Sequence, residues 1–283
     1  MRVVESIHDL KAALRESRRQ GHSIGFVPTM GALHEGHLSL VRRSKAECDR
    51  TVMSIFVNPL QFGPKEDFGQ YLRPIETDRA LAKNAGVDFL FFPPTDEVYA
   101  KDRSTHVEET LISRPMEGVF RPDFFRGVCT VVLKLFATVR PDRSYFGQKD
   151  AQQLRVIEKM TNDLNLDVTI IGCPTVREKD GLAMSSRNAY LTPAERETAP
   201  TLYAGLKKAH DAFERGERST AKLVEKARKH IDAQPALGVQ YLEARRWRDF
   251  ESVDRISEKS ILAAAAYLGK TRLVDNIILL PPS

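Results

Sequence analysis

The sequence predicts an α/β fold with a Rossmann-like parallel sheet, followed by a smaller C-terminal α+β domain. From residue 23 to about residue 172, continuous apolar runs rich in β-branched residues alternate with amphipathic helical patterns. This alternation is typical of a parallel sheet that is covered on both faces. After about residue 176 the alternation ends, and two helical patterns precede three short strand-like runs. We therefore expect one domain at residues 1–175 and a second at residues 176–283.

The first domain opens with a helix and continues through five strand-like runs. Ile7, Leu10, Ala13 and Leu14 form the apolar stripe of the helix, and Gly21 ends it. The predicted strands cover residues 23–27, 51–57, 87–92 and 166–171, with a weaker one at 143–146. The helices predicted between them cover residues 37–48, 75–85, 127–139 and 150–164. Because ligands of such sheets bind beyond the carboxyl ends of the strands, a functional site is expected in the loops that follow the strands.

The second domain begins with strong helix-start signals. Thr192, Pro193 and Glu195 supply a cap, a first-turn proline and a capping-box acid. Ser219 caps a further helix that extends to about Asp232. Strand-like runs follow at residues 239–244, 260–267 and 272–279. This order predicts a separate α+β domain.

Composition and charge disfavour several classes of protein. With 283 residues, 42% of them hydrophobic and 29% charged, the chain is an ordinary soluble protein without an apolar stretch of membrane-span length. Residues 1–20 lack a signal-peptide core. Cys48, Cys129 and Cys173 form no C-x-x-C pair, which favours a reducing cytoplasm over a disulfide framework or a zinc site. The net charge of +5 is modest and no basic stripe contains aromatic residues, so nucleic acid is not an expected partner.

The run P-T-M-G-A-L-H-E-G-H at residues 28–37, here called the histidine run, follows an apolar strand and opens an amphipathic helix. His34 and His37 then share one face of the first helical turn, beside backbone N–H groups that have no partner within the helix. Such a helix start attracts phosphate. The alternative is that the two histidines serve as helix caps.

A second run, M-S-S-R-N at residues 184–188, here called the serine run, supplies two hydroxyls and a guanidinium. These groups suit a polyphosphate. By itself the serine run is common turn chemistry. Together with the histidine run, it predicts an enzyme that breaks ATP between its α and β phosphates.

Two further polar loops lie at the predicted strand ends, at residues 58–61 and 147–150. Lys149 follows a strand and precedes a helix, a position that favours phosphate binding over an ordinary surface lysine. Its neighbour Asp150 has the alternative role of capping the next helix. Gln61 and Gln153 carry neutral amides that can bind a hydroxyl or a carboxylate, with solvent exposure as the alternative.

In these runs the chain resembles the pantothenate synthetase (pantoate–β-alanine ligase) family. The resemblance extends over essentially the whole chain and is carried by P-T-M-G-A-L-H-E-G-H, F-V-N-P-L-Q-F-G-P-K-E-D-F, Y-F-G-Q-K-D-A-Q-Q, V-R-E-K-D-G-L-A-M-S-S-R-N and T-R-L-V-D-N. It implies the Rossmann-like fold of the HxGH nucleotidyltransferases and a two-step reaction. Pantoate attacks the α-phosphorus of ATP and releases diphosphate, and β-alanine then converts the bound pantoyl adenylate to pantothenate and AMP.

The resemblance also implies roles for individual residues. The implied catalytic residues are His37 as proton donor, with His34, Lys149 and Arg187. The implied ATP-binding residues are Met30, Gly31, Ala32, Leu33, His34, Glu35, Gly36, His37, Gly147, Gln148, Lys149, Asp150, Val176, Met184, Ser185, Ser186 and Arg187. Pantoate is implied to bind Gln61 and Gln153, and β-alanine to bind Gln61.

Further implications concern the metal, the second domain and the assembly. Mg²⁺ is expected to accompany ATP and to bridge its phosphate oxygens, without a protein cage of its own. The second domain is expected to close over the nucleotide as a lid. The resemblance also implies a cytoplasmic homodimer.

At Asp123–Phe124 the chain departs from the family, which usually has Gly-His there. A pantoate contact made by that histidine therefore does not transfer to this chain. Phe124 either lowers the affinity for pantoate or packs under its loop.

Two functions from other classes remain as alternatives to the ligase. A nucleotidylyltransferase that moves AMP or CMP onto a phosphorylated acceptor would also use the histidine run, but it would not release AMP in response to an amine. A non-catalytic RNA-binding module is the other alternative. The modest charge argues against that module.

Overall fold

The computed structural model describes residues 1–63, 68–69 and 71–282. Residues 64–67, which belong to the run F-V-N-P-L-Q-F-G-P-K-E-D-F, lie outside the described residues. The described residues divide into two compact units. Unit 1 comprises those within Met1–Gln148 and Gln152–Pro174, and unit 2 comprises Lys149–Ala151 and those from Thr175 onward.

The described residues of unit 1 contain a six-stranded sheet in the order β1-β4-β3-β2-β5-β6, in which each neighbouring pair is parallel. The strands are β1 (Arg2–Val4), β2 (Ile24–Thr29), β3 (Arg50–Ile55), β4 (Phe89–Phe91), β5 (Arg143–Gly147) and β6 (Thr169–Cys173). The order changes direction at β2, which has β3 on one side and β5 on the other. Open α/β sheets bind ligands at such a switch point. The loops that leave β2 and β5 begin there.

The helices that begin before residue 175 are α1 (Ile7–Arg19), α2 (Glu35–Glu47), α3 (Ile75–Asn84), α4 (Thr95–Val98), α5 (Glu117–Phe120), α6 (Phe124–Val139) and α7 (Ala151–Asp163). Helix α1 starts after Ser6, whose hydroxyl accepts a hydrogen bond from the Asp9 N–H at 3.0 Å, and it buries Leu10 and Leu14. Strands β2 and β3 are buried along nearly their whole length, as expected of a sheet covered on both faces. None of the helices in the described ranges combines the length and hydrophobicity that crossing a membrane requires.

Over residues 175–282, unit 2 combines three helices with an antiparallel sheet in the order β7-β8-β9. Its elements are α8 (Pro193–Thr198), α9 (Thr201–Glu214), α10 (Thr220–Ile231), β7 (Leu237–Arg246), β8 (Ser260–Leu268) and β9 (Thr271–Leu279). Leu206 on α9, Leu223 on α10 and Leu262 on β8 belong to one buried apolar cluster. The predicted parallel sheet and the smaller α+β part are thus both present.

The structure corrects three details of the predicted elements. The helix that starts at Pro193 ends at Thr198, and α9 begins separately after Pro200, so the C-terminal part has one helix more than expected. Proline has no N–H to donate, which explains the break at this position. Helix α6 begins at Phe124 rather than at residue 127, and the short strand β1 was not expected.

Candidate active site

The loop Met30–Leu33 turns the chain between β2 and α2. Gly31 and Ala32 both have a positive φ, 86° and 49° respectively, and this conformation is costly for alanine. On α3, the Asp78 carboxylate accepts hydrogen bonds from the Ala32 N–H at 2.8 Å and from the Leu33 N–H at 2.7 Å. These two bonds hold the loop in its strained shape.

The Asp78 carboxylate is almost completely buried, with 1% of the residue exposed. Burial raises the pKa of Asp78, although the two backbone N–H groups act in the opposite direction. A side chain at Gly31 would place its Cβ 2.9 Å from Asp78 Oδ2. Glycine is therefore required at position 31 both for its positive φ and for the close approach of the carboxylate.

His34 and His37 cap the helix that they open. The N-cap of α2 is His34, and its Nδ1 accepts a hydrogen bond from the Gly36 N–H at 3.1 Å. The His37 Nδ1 accepts in turn from the His34 N–H at 3.3 Å, and the two ring centroids lie 4.1 Å apart. Both histidines therefore do cap the helix, as the alternative interpretation of the histidine run proposed.

This capping has a chemical consequence for both imidazoles. A neutral imidazole carries a proton on one nitrogen and accepts with the other. Because Nδ1 accepts in both His34 and His37, the proton of each neutral ring is on Nε2. Each ring is therefore a hydrogen-bond donor without being charged, at a helix start that already favours anions.

Gln61 lies on a 3₁₀ turn, Pro59–Gln61, that is fixed by buried hydrogen bonds. The Asn58 Nδ2 group donates to Gln61 Oε1 at 2.8 Å and to the Gly127 carbonyl at 3.1 Å. The Tyr99 hydroxyl donates to Asn58 Oδ1 at 2.8 Å. Since Asn58 engages the oxygen of the Gln61 amide, the NH₂ group of Gln61 is the part suited to meet an acceptor on a ligand.

The loop Gly147–Asp150 leaves β5 and passes through a 3₁₀ turn before α7. The side chain of Lys149 is 22% exposed, and its Nζ lies 3.3 Å from Asp150 Oδ1. The Lys149 carbonyl accepts a hydrogen bond from Asn276 Nδ2 at 2.8 Å. Lys149 is thus half-buried and fixed at its backbone, unlike a solvated surface lysine. Gln153 is also half-buried, near the start of α7.

In unit 2, residues 176–184 form a tight hairpin, here called the 176–184 hairpin. The Met184 N–H donates to the Val176 carbonyl at 3.0 Å, and the turn passes through Gly181, whose φ is 95°. Two of the residues implied to bind ATP therefore lie opposite each other at the base of this hairpin.

Charged side chains fix the turn of the 176–184 hairpin. Arg196 on α8 donates to Asp180 Oδ2 and to Glu178 Oε2, both at 2.6 Å. The pairing with Arg196 lowers the pKa of Asp180. In addition, Asn188 Nδ2 donates to Glu178 Oε1 at 3.2 Å. The hairpin is thereby tied to the serine run that follows it.

The segment Ser185–Arg187 continues directly from the hairpin and is half-buried. The Ser185 side chain caps a 3₁₀ turn and accepts a hydrogen bond from the Arg187 N–H at 3.3 Å. The serine run is therefore ordered by turn chemistry, as its sequence indicates. This order gives the hydroxyls and the guanidinium defined positions.

The sequence matches one protein family over nearly its whole length. The family model described as pantoate–β-alanine ligase matches residues 2–278. The pantothenate synthetase of Thermotoga neapolitana is 53% identical over 279 residues, which cover 99% of this chain and 100% of that protein. The chain belongs to the pantoate–β-alanine ligase family. The predicted family and the predicted ligase class are confirmed, and the match speaks against the nucleotidylyltransferase and RNA-binding alternatives.

Solved structures of the ligase family have the same fold. The pantothenate synthetase of Thermus thermophilus superposes with a TM-score of 0.95 at 42% identity and covers 99% of this chain and 100% of that chain. The pantoate–β-alanine ligase of Francisella tularensis, solved in complex with β-γ ATP and β-alanine, gives a TM-score of 0.80 at 33% identity and covers 100% of both chains. These matches confirm the predicted fold class.

The position at which this chain departs from the usual sequence of the ligase family lies beside the Gln61 turn. The guanidinium of Arg121 stacks on the Phe124 ring, with Cζ 3.8 Å from the ring centroid. Arg121 Nη2 also donates to the main-chain carbonyl of Gln61 at 3.0 Å. Of the two alternatives for Phe124, the structure therefore supports packing, because the ring supports a residue that holds the Gln61 turn.

Three residues that shape these ligase-family segments were not singled out from the sequence, namely Asn58, Asp78 and Arg121. Asp78 follows Glu76 and precedes Arg79 on a helix, where an acid is usually solvated. Its burial depends on the packing of α3 against the loop after β2, which no local pattern reveals. Asn58 does carry a usable signal, since it is the first polar residue after a buried strand.

Contacts within each unit bring some of the predicted site residues together. In unit 1, the histidine run contacts Asp78, and in unit 2, Lys149 contacts Asn276. The Val176 and Met184 backbones are paired. The convergence of the histidine run and the serine run on one triphosphate stays a prediction.

Proposed function

We propose that this chain catalyses the ATP-dependent condensation of (R)-pantoate with β-alanine to give pantothenate, AMP and diphosphate. The observation that carries this proposal is the family match over residues 2–278. The Francisella tularensis relative, solved with β-γ ATP and β-alanine, supports these two ligands for this chain as well.

The proposed reaction passes through enzyme-bound pantoyl adenylate. A carboxylate oxygen of pantoate bonds to the α-phosphorus of ATP, and the bond from that phosphorus to the bridging oxygen breaks to release diphosphate. The amine of β-alanine then bonds to the acyl carbon, the acyl–phosphate bond breaks, AMP leaves and the nitrogen loses a proton. Neither step needs a nucleophilic side chain, so catalysis rests on positioning and on stabilisation of phosphate charge.

The three cysteines of the chain are poorly suited to act as nucleophiles in this reaction. Cys48, Cys129 and Cys173 are all buried. Burial raises the pKa of all three thiols, that of Cys129 to about 12. The reactive thiolate is therefore scarce at neutral pH.

We propose that the histidine run binds the phosphates of ATP. His37 would donate from Nε2 to the oxygen on which charge develops, and His34 would donate in the same way to a neighbouring phosphate oxygen. Both roles are supported by the Nδ1 acceptors described above, which leave the proton of the neutral ring on Nε2. The backbone of Met30–Leu33, with Glu35 and Gly36, would surround the nucleotide.

In unit 2, the residues proposed to bind ATP differ in the groups that they offer. Lys149 and Arg187 would neutralise phosphate charge, and the hydroxyls of Ser185 and Ser186 would donate to phosphate oxygens. Val176 and Met184 would contact the adenine end with main-chain groups. Asp150 would complete the set in unit 2, and Gly147 and Gln148, which belong to unit 1, are proposed to bind ATP as well.

We propose that Gln61 and Gln153 bind pantoate and that Gln61 also binds β-alanine. The Gln61 amide is held by Asn58 at 2.8 Å, which leaves its NH₂ group to donate to a substrate oxygen. Arg121 and Phe124 would keep the Gln61 turn in place, because Arg121 contacts the Gln61 carbonyl.

Mg²⁺ is proposed to enter with ATP and to be held chiefly by phosphate oxygens. Among the residues that the structure describes, no group of three or more His, Cys, Asp and Glu side chains is arranged to hold a metal ion. The metal would neutralise part of the phosphate charge, and the donors proposed here, imidazole N–H, ammonium and guanidinium, would bind phosphate oxygens as well.

The test separates the two half-reactions. With pantoate but no β-alanine, the enzyme should exchange labelled diphosphate into ATP. Addition of β-alanine should then release AMP and pantothenate in equal amounts, whereas propionate, which lacks the amine, should release neither. Exchange without an acid, or AMP formation without an amine, would contradict the proposal.

We further propose two domains, residues 1–175 and 176–283, with the second acting as a lid, and a cytoplasmic homodimer. Light scattering would test the dimer. Protection of the segment from Val176 to Asn188 against proteolysis by a bound adenylate analogue would test the lid, and equal cleavage with and without the analogue would argue against it.

A further inference from the structure

Two consecutive residues in the middle of β9, Asp275 and Asn276, are both buried, at 3% and 6% exposure. Neighbouring strand residues normally point to opposite faces of a sheet. In β9 the polar side chains of both residues are buried, although they point to opposite faces. Burial of polar groups is costly unless they are hydrogen-bonded. Their partners therefore indicate what the dipeptide does.

Asp275 makes a two-pronged ion pair with Arg177 of the 176–184 hairpin. Arg177 Nη1 donates to Asp275 Oδ2 at 2.6 Å, and Nη2 donates to Oδ1 at 2.9 Å. The same guanidinium lies 3.5 Å from the ring centroid of Tyr203 and donates to the Gly181 carbonyl at 3.0 Å. A planar guanidinium held on both edges and one face has little freedom. The hairpin is therefore fixed to β9.

Asn276 extends the same attachment to a second segment. Its Nδ2 donates to the main-chain carbonyl of Lys149 at 2.8 Å, and its own carbonyl accepts from Arg177 Nη2 at 3.4 Å. One dipeptide thus holds the backbone of Lys149 and the guanidinium of Arg177. Strand β9 therefore sets the distance between the segment that contains Lys149 and the 176–184 hairpin, which contains Arg177.

We propose that Asp275 and Asn276 are positioning residues for formation of the acyl adenylate. They set the spacing between Lys149 and the base of the 176–184 hairpin, from which Ser185–Arg187 continues. This inference rests on the proposed function, in which Lys149 and Ser185–Arg187 contact the phosphates of ATP. Neither Asp275 nor Asn276 needs to touch the nucleotide.

The two half-reactions distinguish positioning from a general effect on folding. Adenylate formation requires cationic groups placed against the departing diphosphate, and a misplacement of about 1 Å can reduce the rate by about 100-fold. Attack of the amine on the preformed adenylate involves no diphosphate. A change at Asn276 should therefore slow the first half-reaction and spare the second.

The decisive variant is Asn276→Asp, which keeps the shape of the side chain but replaces the NH₂ donor that faces the Lys149 carbonyl with an oxygen. Ser260→Ala is the matched control, because Ser260 is a buried polar residue of the same sheet whose hydroxyl donates to the Glu258 carbonyl. Diphosphate exchange with pantoate, pantothenate formation from supplied pantoyl adenylate and β-alanine, and the Tm are measured for each protein.

We expect Asn276→Asp to reduce exchange by about 10–100-fold and to raise the KM for ATP, while turnover of supplied adenylate stays within about twofold of the unmodified protein. Unchanged exchange would overturn the proposal, as would a parallel loss of both half-reactions, which indicates a structural role. If Asn276→Asp does not fold, Arg177→Lys provides the same comparison, since lysine keeps the charge but not the two-pronged contact. If the unmodified protein shows no pantoate-dependent exchange, the proposed function itself fails.

Discussion

The loop Met30–Leu33 of unit 1 is shaped by two backbone N–H groups that donate to the buried carboxylate of Asp78. The turn of the 176–184 hairpin of unit 2 is instead held by Arg196, which pairs with Asp180 and Glu178. Asp78 is 1% exposed, while the side chains of Arg196 and Asp180 are 32% and 42% exposed. Salt screens exposed ion pairs far more than buried contacts. The contacts that hold this loop and this turn should therefore respond differently to mutation, pH and salt.

The largest expected effect is catalytic and lies on the unit 1 side of this comparison. His37→Ala should slow adenylate formation by about 10²–10³-fold, the usual cost of removing one transition-state donor. Diphosphate exchange with pantoate is the measurement, and His106→Ala, at an exposed position, is the control. A near-normal exchange rate in the His37 variant would remove it from this role.

Removal of the buried anchor should come next in size. Asp78→Ala leaves the N–H groups of Ala32 and Leu33 without their acceptor, and it should lower the free energy of unfolding by about 1–3 kcal/mol. Because the strained loop loses its support, exchange activity should fall as well. Urea denaturation measures the first effect. Retention of full stability and activity would show that the loop holds its shape without the carboxylate.

On the unit 2 side, Arg187→Lys tests whether a forked cation is needed. Lysine keeps the charge but presents a point donor, so exchange should slow by about tenfold, equivalent to the loss of one charge-assisted hydrogen bond of about 1.5 kcal/mol. The KM for ATP and the exchange rate should be measured together. Equal values for the two proteins would show that the fork is dispensable.

The two carboxyls should give stability slopes of opposite sign in acid. Burial raises the pKa of Asp78 above its ordinary value of 3.8, so the folded state binds this proton more tightly than the unfolded state. The free energy of unfolding therefore falls as the pH rises from about 3.8 through the pKa of the folded state. The pKa of Asp180 is lowered by Arg196, so its contribution is present above 3.8 and is lost as the pH falls. The difference in the free energy of unfolding between each variant, Asp78→Asn or Asp180→Asn, and the unmodified protein should therefore change with pH in opposite directions for the two variants. Slopes of the same sign would refute the contrast.

The smallest effect is expected for the exposed ion pairs. Arg196→Ala should change the free energy of unfolding by no more than about 1 kcal/mol, and the difference should shrink in about 1 M salt, where the Debye length is about 3 Å. Lys207→Ala removes an exposed pair within α9, with Asp211, and serves as the control. A large loss that does not depend on salt would mean that Arg196 acts like a buried anchor.

The elements that the sequence predicted well are those that bury a complete apolar pattern of their own. Strands β2 and β3 lie in largely apolar stretches of sequence and are almost completely buried, as expected of strands that are covered on both faces. Strand β1 has only three residues, and its position comes from its parallel pairing with β4. No local pattern of that length distinguishes a strand from a loop.

Some residues of the candidate site could be predicted from the sequence and others could not. His34, His37 and Arg187 belong to short runs whose chemistry can be read directly. Asp78 could not be predicted, because its role arises from a contact between α3 and a loop about 46 residues earlier in the chain. Residues that hold other residues in place are hard to find in a single sequence, because an aspartate that is buried and one that is exposed to solvent look the same there.

Lys149–Ala151 group with unit 2, although the chain on either side of them belongs to unit 1. If the gene were divided at residue 175, these three residues of unit 2 would remain on the polypeptide that forms unit 1. One of them is Lys149, whose carbonyl accepts a hydrogen bond from Asn276. The two units do not correspond to two interchangeable gene segments. Chimaeras that exchange the C-terminal part between relatives would have to carry both pieces of chain.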